Sequence, residues 1–175
     1  MGKIMSMKKT NNKGFSLVEV MVVIAIIAVL GGVFINGFYL ISSKQVDQCA
    51  KKMQMALENA RSTSMGKSNV DLKFYYSGGK IYVDKKLNND ASKVTKTEVG
   101  DDGLTVKYSY ATIGGASTEK NLSTNPLSGV EFDRASGALK PLSGTSNYLT
   151  KITVTNGRKT VTVNIERLTG RVTID

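Results

Sequence analysis

The chain has 175 residues, with 24 Lys and Arg against 14 Asp and Glu, a formal net charge of +10, a single cysteine and no histidine or tryptophan. Without histidine the usual general base, proton shuttle and commonest zinc ligand are missing, and Cys49 alone closes no internal disulfide. The length allows one folded domain of about 110 residues beyond an N-terminal helix, enough for a modest core.

Residues 1–13 carry Lys3, Lys8, Lys9 and Lys13 and no acid. By the positive-inside bias this keeps the N-terminus cytoplasmic and exports the remainder of the chain beyond the apolar run. Taking those four lysines from the 24 basic residues leaves twenty against fourteen acids, a mild +6. The stretch from Phe15 to Ile41 is dominated by apolar residues, with no polar side chain between Val20 and Leu30. It is long enough to cross a hydrocarbon core of about 30 Å as a helix. A secretory signal peptide is the rival reading, but its apolar region is shorter and ends at a small-residue cleavage site. The opening Met-Gly-Lys-Ile-Met-Ser also fits an N-myristoylation pattern, which is set aside because nothing else points to that pathway.

Glu19 is the anomaly in this run, since a carboxylate inside a membrane helix costs roughly 2.5–3.5 kcal/mol. Cutting the chain after Gly14 gives Phe15 a free amine four residues before Glu19, one helical turn away and on the same face. The stretch Gly14-Phe15-Ser16-Leu17-Val18-Glu19, followed by an unbroken apolar run, resembles the type IV prepilin signature. The resemblance implies cleavage between Gly14 and Phe15 and N-methylation of Phe15 by a prepilin peptidase. It also implies that Glu19 neutralises the amine of an adjacent subunit during filament assembly. The partners implied are that peptidase, other pilin or pseudopilin subunits, an inner-membrane assembly platform, and lipid before assembly. No cofactor and no enzymatic activity are expected.

Gly31, Gly32 and Gly37, with Asn36, interrupt the run. Glycine costs about 1 kcal/mol relative to alanine inside a helix. This marks a weak place, expected to be helical in the free subunit and partly melted in the filament. From Ser42 to about Met65, Val46, Cys49, Ala50, Met53, Ala56, Leu57 and Ala60 recur at three- and four-residue spacing, an amphipathic stripe expected to lie on a sheet. Cys49, Met53 and Met55 read as packing residues. Gly66 ends the helix.

Beyond Asn69 the pattern is β. Val70 to Val83 reads as a hairpin, 85–103 as a polar loop, and Leu104 to Tyr110 as a strand. Residues 112–128 read as a second irregular loop, Gly129–Leu139 as a short hairpin, and Ile152 to Ile174 as a three-stranded meander. Val130-Glu131-Phe132-Asp133-Arg134-Ala135-Ser136-Gly137-Ala138-Leu139, followed by a hairpin ending in Leu168-Thr169-Gly170-Arg171-Val172, resembles the pseudopilin H and minor-pilin fold. The fold expected is α+β: a long N-terminal α-helix, transmembrane then amphipathic, packed on an antiparallel β-sheet domain. Its parts are a leader at 1–14, a transmembrane and assembly helix at 15–41, an amphipathic helix at 42–66 and a β-rich domain at 67–175.

Other sites are weaker. Asp101 and Asp102, and Asn88 to Asp90, lack the spaced acids of a calcium loop and read as solvated turns. Asn121-Leu122-Ser123 is a formal glycosylation sequon. Arg158, Lys159, Arg167 and Arg171 gather in the C-terminal meander, with Tyr148 the one aromatic nearby. Either they form a solvated basic face, or they bind DNA as in a competence-type minor pilin. The leading reading is a structural subunit of a type IV pilus or type II secretion pseudopilus, with its glycine- and threonine-rich domain leaning toward a minor role. It would be a single-pass cytoplasmic-membrane protein, N-terminus inside, that moves to a cell-surface filament. An uncleaved, signal-anchored extracytoplasmic domain is the third reading.

Overall fold

The computed structural model describes residues 15–66 and 68–175, without the side chains of 32–41; the leader, Gly14 included, lies outside the described residues. The chain divides into two compact units, Met1–Tyr39 and Leu40–Asp175. One helix, α1 (Leu17–Met65), is followed by nine strands among the described residues: β1 (Val70–Ser77), β2 (Lys80–Leu87), β3 (Val94–Gly100), β4 (Thr105–Ala111), β5 (Thr118–Asn121), β6 (Leu127–Glu131), β7 (Tyr148–Thr155), β8 (Thr160–Ile165) and β9 (Val172–Ile174).

In the first unit, the side chains from Phe15 to Gly31 are exposed. The α1 backbone is helical through Gly31, Gly32 and Gly37, as expected of the free chain. Among the described residues no helix is long and apolar enough to cross a membrane. The expected span continues over 32–41, whose side chains are not described.

In the second unit the apolar stripe of α1 behaves as its period predicts. Val46, Cys49, Ala50, Met53, Leu57 and Ala60 are each at most 1% exposed, and Ala56 is partly buried against them. The strands form two antiparallel sheets, β3-β2-β1-β6 and β5-β4-β7-β8-β9, where the sequence suggested a single β layer. Both sheets reach the helix. Lys52 Nζ donates to Glu98 O of β3 at 3.5 Å, and Lys85 Nζ of β2 donates to Asn59 Oδ1 at 2.5 Å. On the other flank of α1, Gln54 Nε2 donates to Val172 O of β9 at 3.4 Å. Two flanks of one helix thus carry two sheets, with the stripe between them as the shared core.

The β1–β2 hairpin, the hairpin around 135–137 and the β7-β8-β9 meander lie where the alternation placed them. Two expectations fail. The polar loop assigned to 85–103 contains β3, and the irregular loop assigned to 112–128 contains β5 and the start of β6. β3 and β5 are edge strands. An edge strand is wet along one side and needs no apolar alternation, and lysines on it oppose further pairing; Lys-Val-Thr-Lys-Thr-Glu-Val has that composition.

The structure also exposes a duplication. Phe132-Asp133-Arg134-Ala135-Ser136-Gly137-Ala138-Leu139 and Ile165-Glu166-Arg167-Leu168-Thr169-Gly170-Arg171-Val172 share one pattern: apolar, acid, Arg, any residue, hydroxyl, Gly, any residue, apolar. They fold into matching turns. Gly137 N donates to Asp133 O at 2.9 Å and Gly170 N to Glu166 O at 2.8 Å; Asp133 N donates to Ala138 O at 2.7 Å and Glu166 N to Arg171 O at 2.8 Å. Gly137 and Gly170 have φ of 70° and 64°, the left-handed region that glycine enters without steric cost. The turns dock on each other, Leu139 N donating to Arg167 O at 2.9 Å. Arg61 Nε at the end of α1 donates to Gly137 O at 3.3 Å.

Candidate functional site

The N-terminal site begins with the start of the helix. Ser16 precedes the first helical residue, and its Oγ accepts from Val18 N–H at 3.3 Å while its carbonyl accepts from Val20 N–H at 3.1 Å. Ser16 is therefore the N-cap, satisfying a backbone donor that helix geometry leaves unpaired. Phe15 stays outside the helix and is 81% exposed. Glu19 falls in the first turn, where its negative charge meets the positive end of the helix dipole. Phe15 and Glu19 border one shallow groove with Val20, Val23 and Ile24, so the two lie on one side of the helix start although Phe15 precedes the first turn. Ser16 escaped the sequence reading. Its signal was there: Ser-Leu-Val-Glu before an apolar run is the spacing of a capping box.

Around this short polar start the apolar surface is continuous. Leu17, Met21, Ile24, Ile27 and Val29 are each more than half exposed, spread around the helix rather than confined to one stripe. A surface of that kind marks a contact with lipid or another protein.

The four C-terminal cations do not come together as one patch. Arg158 and Lys159 sit in the turn between β7 and β8, whereas Arg167 and Arg171 sit in the turn between β8 and β9. Those turns cap opposite ends of the six-residue β8, about 20 Å apart at 3.3 Å per residue. Antiparallel connection causes the separation, since successive turns of a meander alternate ends. Lys159 Nζ is paired with Asp47 Oδ2 of α1 at 2.6 Å, and Asn156 Oδ1 accepts from Arg158 N–H and Lys159 N–H at 3.0 and 2.8 Å. The Arg167 guanidinium lies over the Tyr148 ring, 5.2 Å from its centroid.

The remaining candidates make contacts within the fold. Burial pushes the Cys49 thiol up to about 12, and a Cβ at Gly100 would lie 2.8 Å from its Sγ, so the cysteine fills the core beneath β3. Asp102 Oδ1 accepts from Tyr76 Oη–H and Gly103 N–H, each at 3.0 Å. Asn121 Oδ1 of the sequon accepts from Ser123 N–H at 3.0 Å and closes its own turn. Among the described residues no three acidic, cysteine or histidine side chains converge as metal ligands.

No curated protein and no solved structure matches the chain. One protein family does, the prokaryotic N-terminal methylation motif, over residues 9–35. That motif implies processing by a prepilin peptidase and assembly with other pilins. The match covers the Gly14–Phe15 bond, Glu19 and the apolar run as far as Ile35, and the chain carries at its N-terminus the type IV prepilin and pseudopilin signature.

Proposed function

We propose that this chain is a structural, non-catalytic subunit of a type IV pilus or secretion pseudopilus. It is cleaved between Gly14 and Phe15, methylated on the new amine and polymerised through its N-terminal helix. The observation that carries the reading is an apolar helix surface exposed on all sides around one carboxylate, Glu19, inside a methylation motif. Lipid covers that surface before assembly, with the N-terminus in the cytoplasm and the domain outside; neighbouring subunits cover it afterwards. At about 25 cal/mol per Å², a contact of a few hundred Å² supplies several kcal/mol before ordering costs. Glu19 then pairs with the Phe15 amine of a neighbour, and the glycine-rich stretch after Leu30 is where the helix yields on packing.

Mass spectrometry of sheared surface filaments tests the reading. The expected mature chain begins at Phe15 with one added methyl group; an N-terminus at Met1 supports a signal-anchored domain instead. Glu19→Ala should leave cleavage intact and reduce filament yield about tenfold or more, the scale set by an uncompensated charge of about 1.4 kcal/mol or above. Wild-type yield would remove Glu19 from assembly. A minor role rests on composition, and copy number in the filaments measures it. The separation of Arg158 and Lys159 from Arg167 and Arg171 supplies no single cationic track for DNA.

A further inference from the structure

A trough of about 440 Å³ opens on the folded unit between α1 and the inner face of the β3-β2-β1-β6 sheet. Thr97 pairs with the buried Val83 and Thr95 with Lys85, and both threonines line the trough yet remain exposed. Met55 forms the helix-side lip and is 65% exposed, and Val83, Leu87 and Val99 form apolar walls. The ionisable groups lining it are Lys52 and Lys85, and both are held by neutral oxygens. Lys85 Nζ donates to Asn59 Oδ1 at 2.5 Å and to Thr63 Oγ1 at 3.1 Å; Lys52 Nζ donates to Glu98 O at 3.5 Å. The adjacent Glu98 carboxylate is taken by Lys80 at 2.8 Å. An apolar trough edged by two ammonium groups suits an apolar side chain beside a carboxylate.

The same chain presents that combination on its other flank. The turn between β8 and β9 projects Leu168, 64% exposed. Glu166 beside it is also exposed and has no ion pair with a described residue. The turn is held from behind by its docking on the 133–138 turn, and Arg167 is drawn onto Tyr148, so Leu168 is presented by a fixed backbone. Trough and turn lie on different sheets, on opposite flanks of α1. One copy therefore cannot satisfy itself, and two copies cannot close on each other through this contact alone. A surface of this kind, mated head to tail, closes into a ring or propagates into a helical array, and the filament reading selects the array.

We infer that the β8–β9 turn of one copy seats in the β3–α1 trough of the next, with Leu168 on the apolar walls and the Glu166 carboxylate at Lys85 and Lys52. This contact rests on the filament reading and supplies a lateral lock between folded units, separate from the N-terminal helices. The test uses full-length protein in sheared filaments carrying Met55→Cys and Leu168→Cys together. Mild oxidation should give a ladder of dimers, trimers and larger species. Either single cysteine variant should give none, nor should the parent, whose Cys49 is buried. Independently, Lys85→Glu should lower filament yield roughly fivefold through a like-charge contact, and adding Glu166→Lys should restore it. Filaments of methylated subunits that show neither ladder nor rescue overturn the contact and leave the filament reading standing. Disulfide dimers from either single cysteine variant overturn it as well. A wild-type chain absent from filaments removes both.

Discussion

Two stretches of the same helix treat their apolar residues in opposite ways. Between Leu17 and Leu30 they surround the axis and stand exposed; between Val46 and Ala60 all but Met55 form one stripe that is almost wholly buried. Amount and arrangement both separate the two: 13 of the 14 residues from Leu17 to Leu30 are apolar, on every side of the axis, against 8 of the 15 from Val46 to Ala60, mostly on one side. A stripe can be covered by the chain's own strands, and here two sheets cover it. A helix that is apolar all round exceeds what one small domain can cover and must find lipid or other chains. Stability and assembly are thereby assigned to different residues, and substitutions in the two stretches should have separable consequences.

The largest effect expected is in the folded unit. Phe132 is 1% exposed in the core, and Phe132→Ala should cost about 3–5 kcal/mol. Val23, 49% exposed on the apolar helix, should tolerate Val23→Ala with no change in the thermal unfolding of the domain while weakening filament yield. Equal loss of melting temperature in both variants would erase the contrast.

Glycines sharpen it further. A Cβ at Gly170 would overlap the carbonyl oxygen of Gly137 and press on Arg61, at a backbone φ of 64°. Gly170→Ala should destabilise the domain by about 2–3 kcal/mol, from left-handed strain and a displaced backbone together. Gly31 meets nothing within 4 Å, and Gly31→Ala should stabilise its helix by about 1 kcal/mol. Circular dichroism on the two variants should therefore move in opposite directions.

Gly170 also shows where sequence reading stopped. The helix stripe and the meander were legible because each keeps one strict period, 3.6 or 2, over many residues. The methylation motif was legible because its residue types are unusual inside an apolar run. β3 and β5 were not: edge strands draw no apolar alternation from a core, and Thr118-Glu119-Lys120-Asn121 reads as loop. The twin turns at 133–138 and 166–171 were each visible as turns, but their equivalence and mutual docking depend on a contact between segments about thirty residues apart. The cation group at Arg158, Lys159, Arg167 and Arg171 failed for a topological reason, since closeness in sequence across a strand places residues at opposite ends of it.

A smaller effect tests charge in the β3-β2-β1-β6 sheet. Asp71 stands opposite Glu131 in the β1–β6 pair, and its Oδ1 is buried without a hydrogen-bond partner. Burial chiefly, and the Glu131 charge next, hold its carboxyl above the usual range, with the Gly129 N–H opposing. A carboxyl whose folded pKa is raised favours folding below its unfolded value, near 3.9, and loses that contribution as pH rises through the folded value. At neutral pH the charged Asp71 opposes folding. Asp71→Asn should raise stability by about 1 kcal/mol at pH 7, and the gain should vanish near pH 4. An identical gain in thermal unfolding at both pH values would show that charge is not its cause.

The smallest effect bears on where the packed stretch begins. Lys159 Nζ meets Asp47 at 2.6 Å with both side chains more than a third exposed, and Asn156 Nδ2 of the same turn donates to Ser42 O at 3.1 Å. The β7–β8 turn thus grips α1 at the first residues of the packed unit. An exposed pair contributes about 0.2–1 kcal/mol and weakens with salt, so Lys159→Ala should lower global stability by about 0.5 kcal/mol. Its signature should be local: faster amide exchange near residues 42–47, unchanged exchange at 17–31, and a difference from wild type that shrinks in high salt. If Lys159 were a nucleic-acid contact and not a clamp, the substitution would leave exchange at 42–47 untouched.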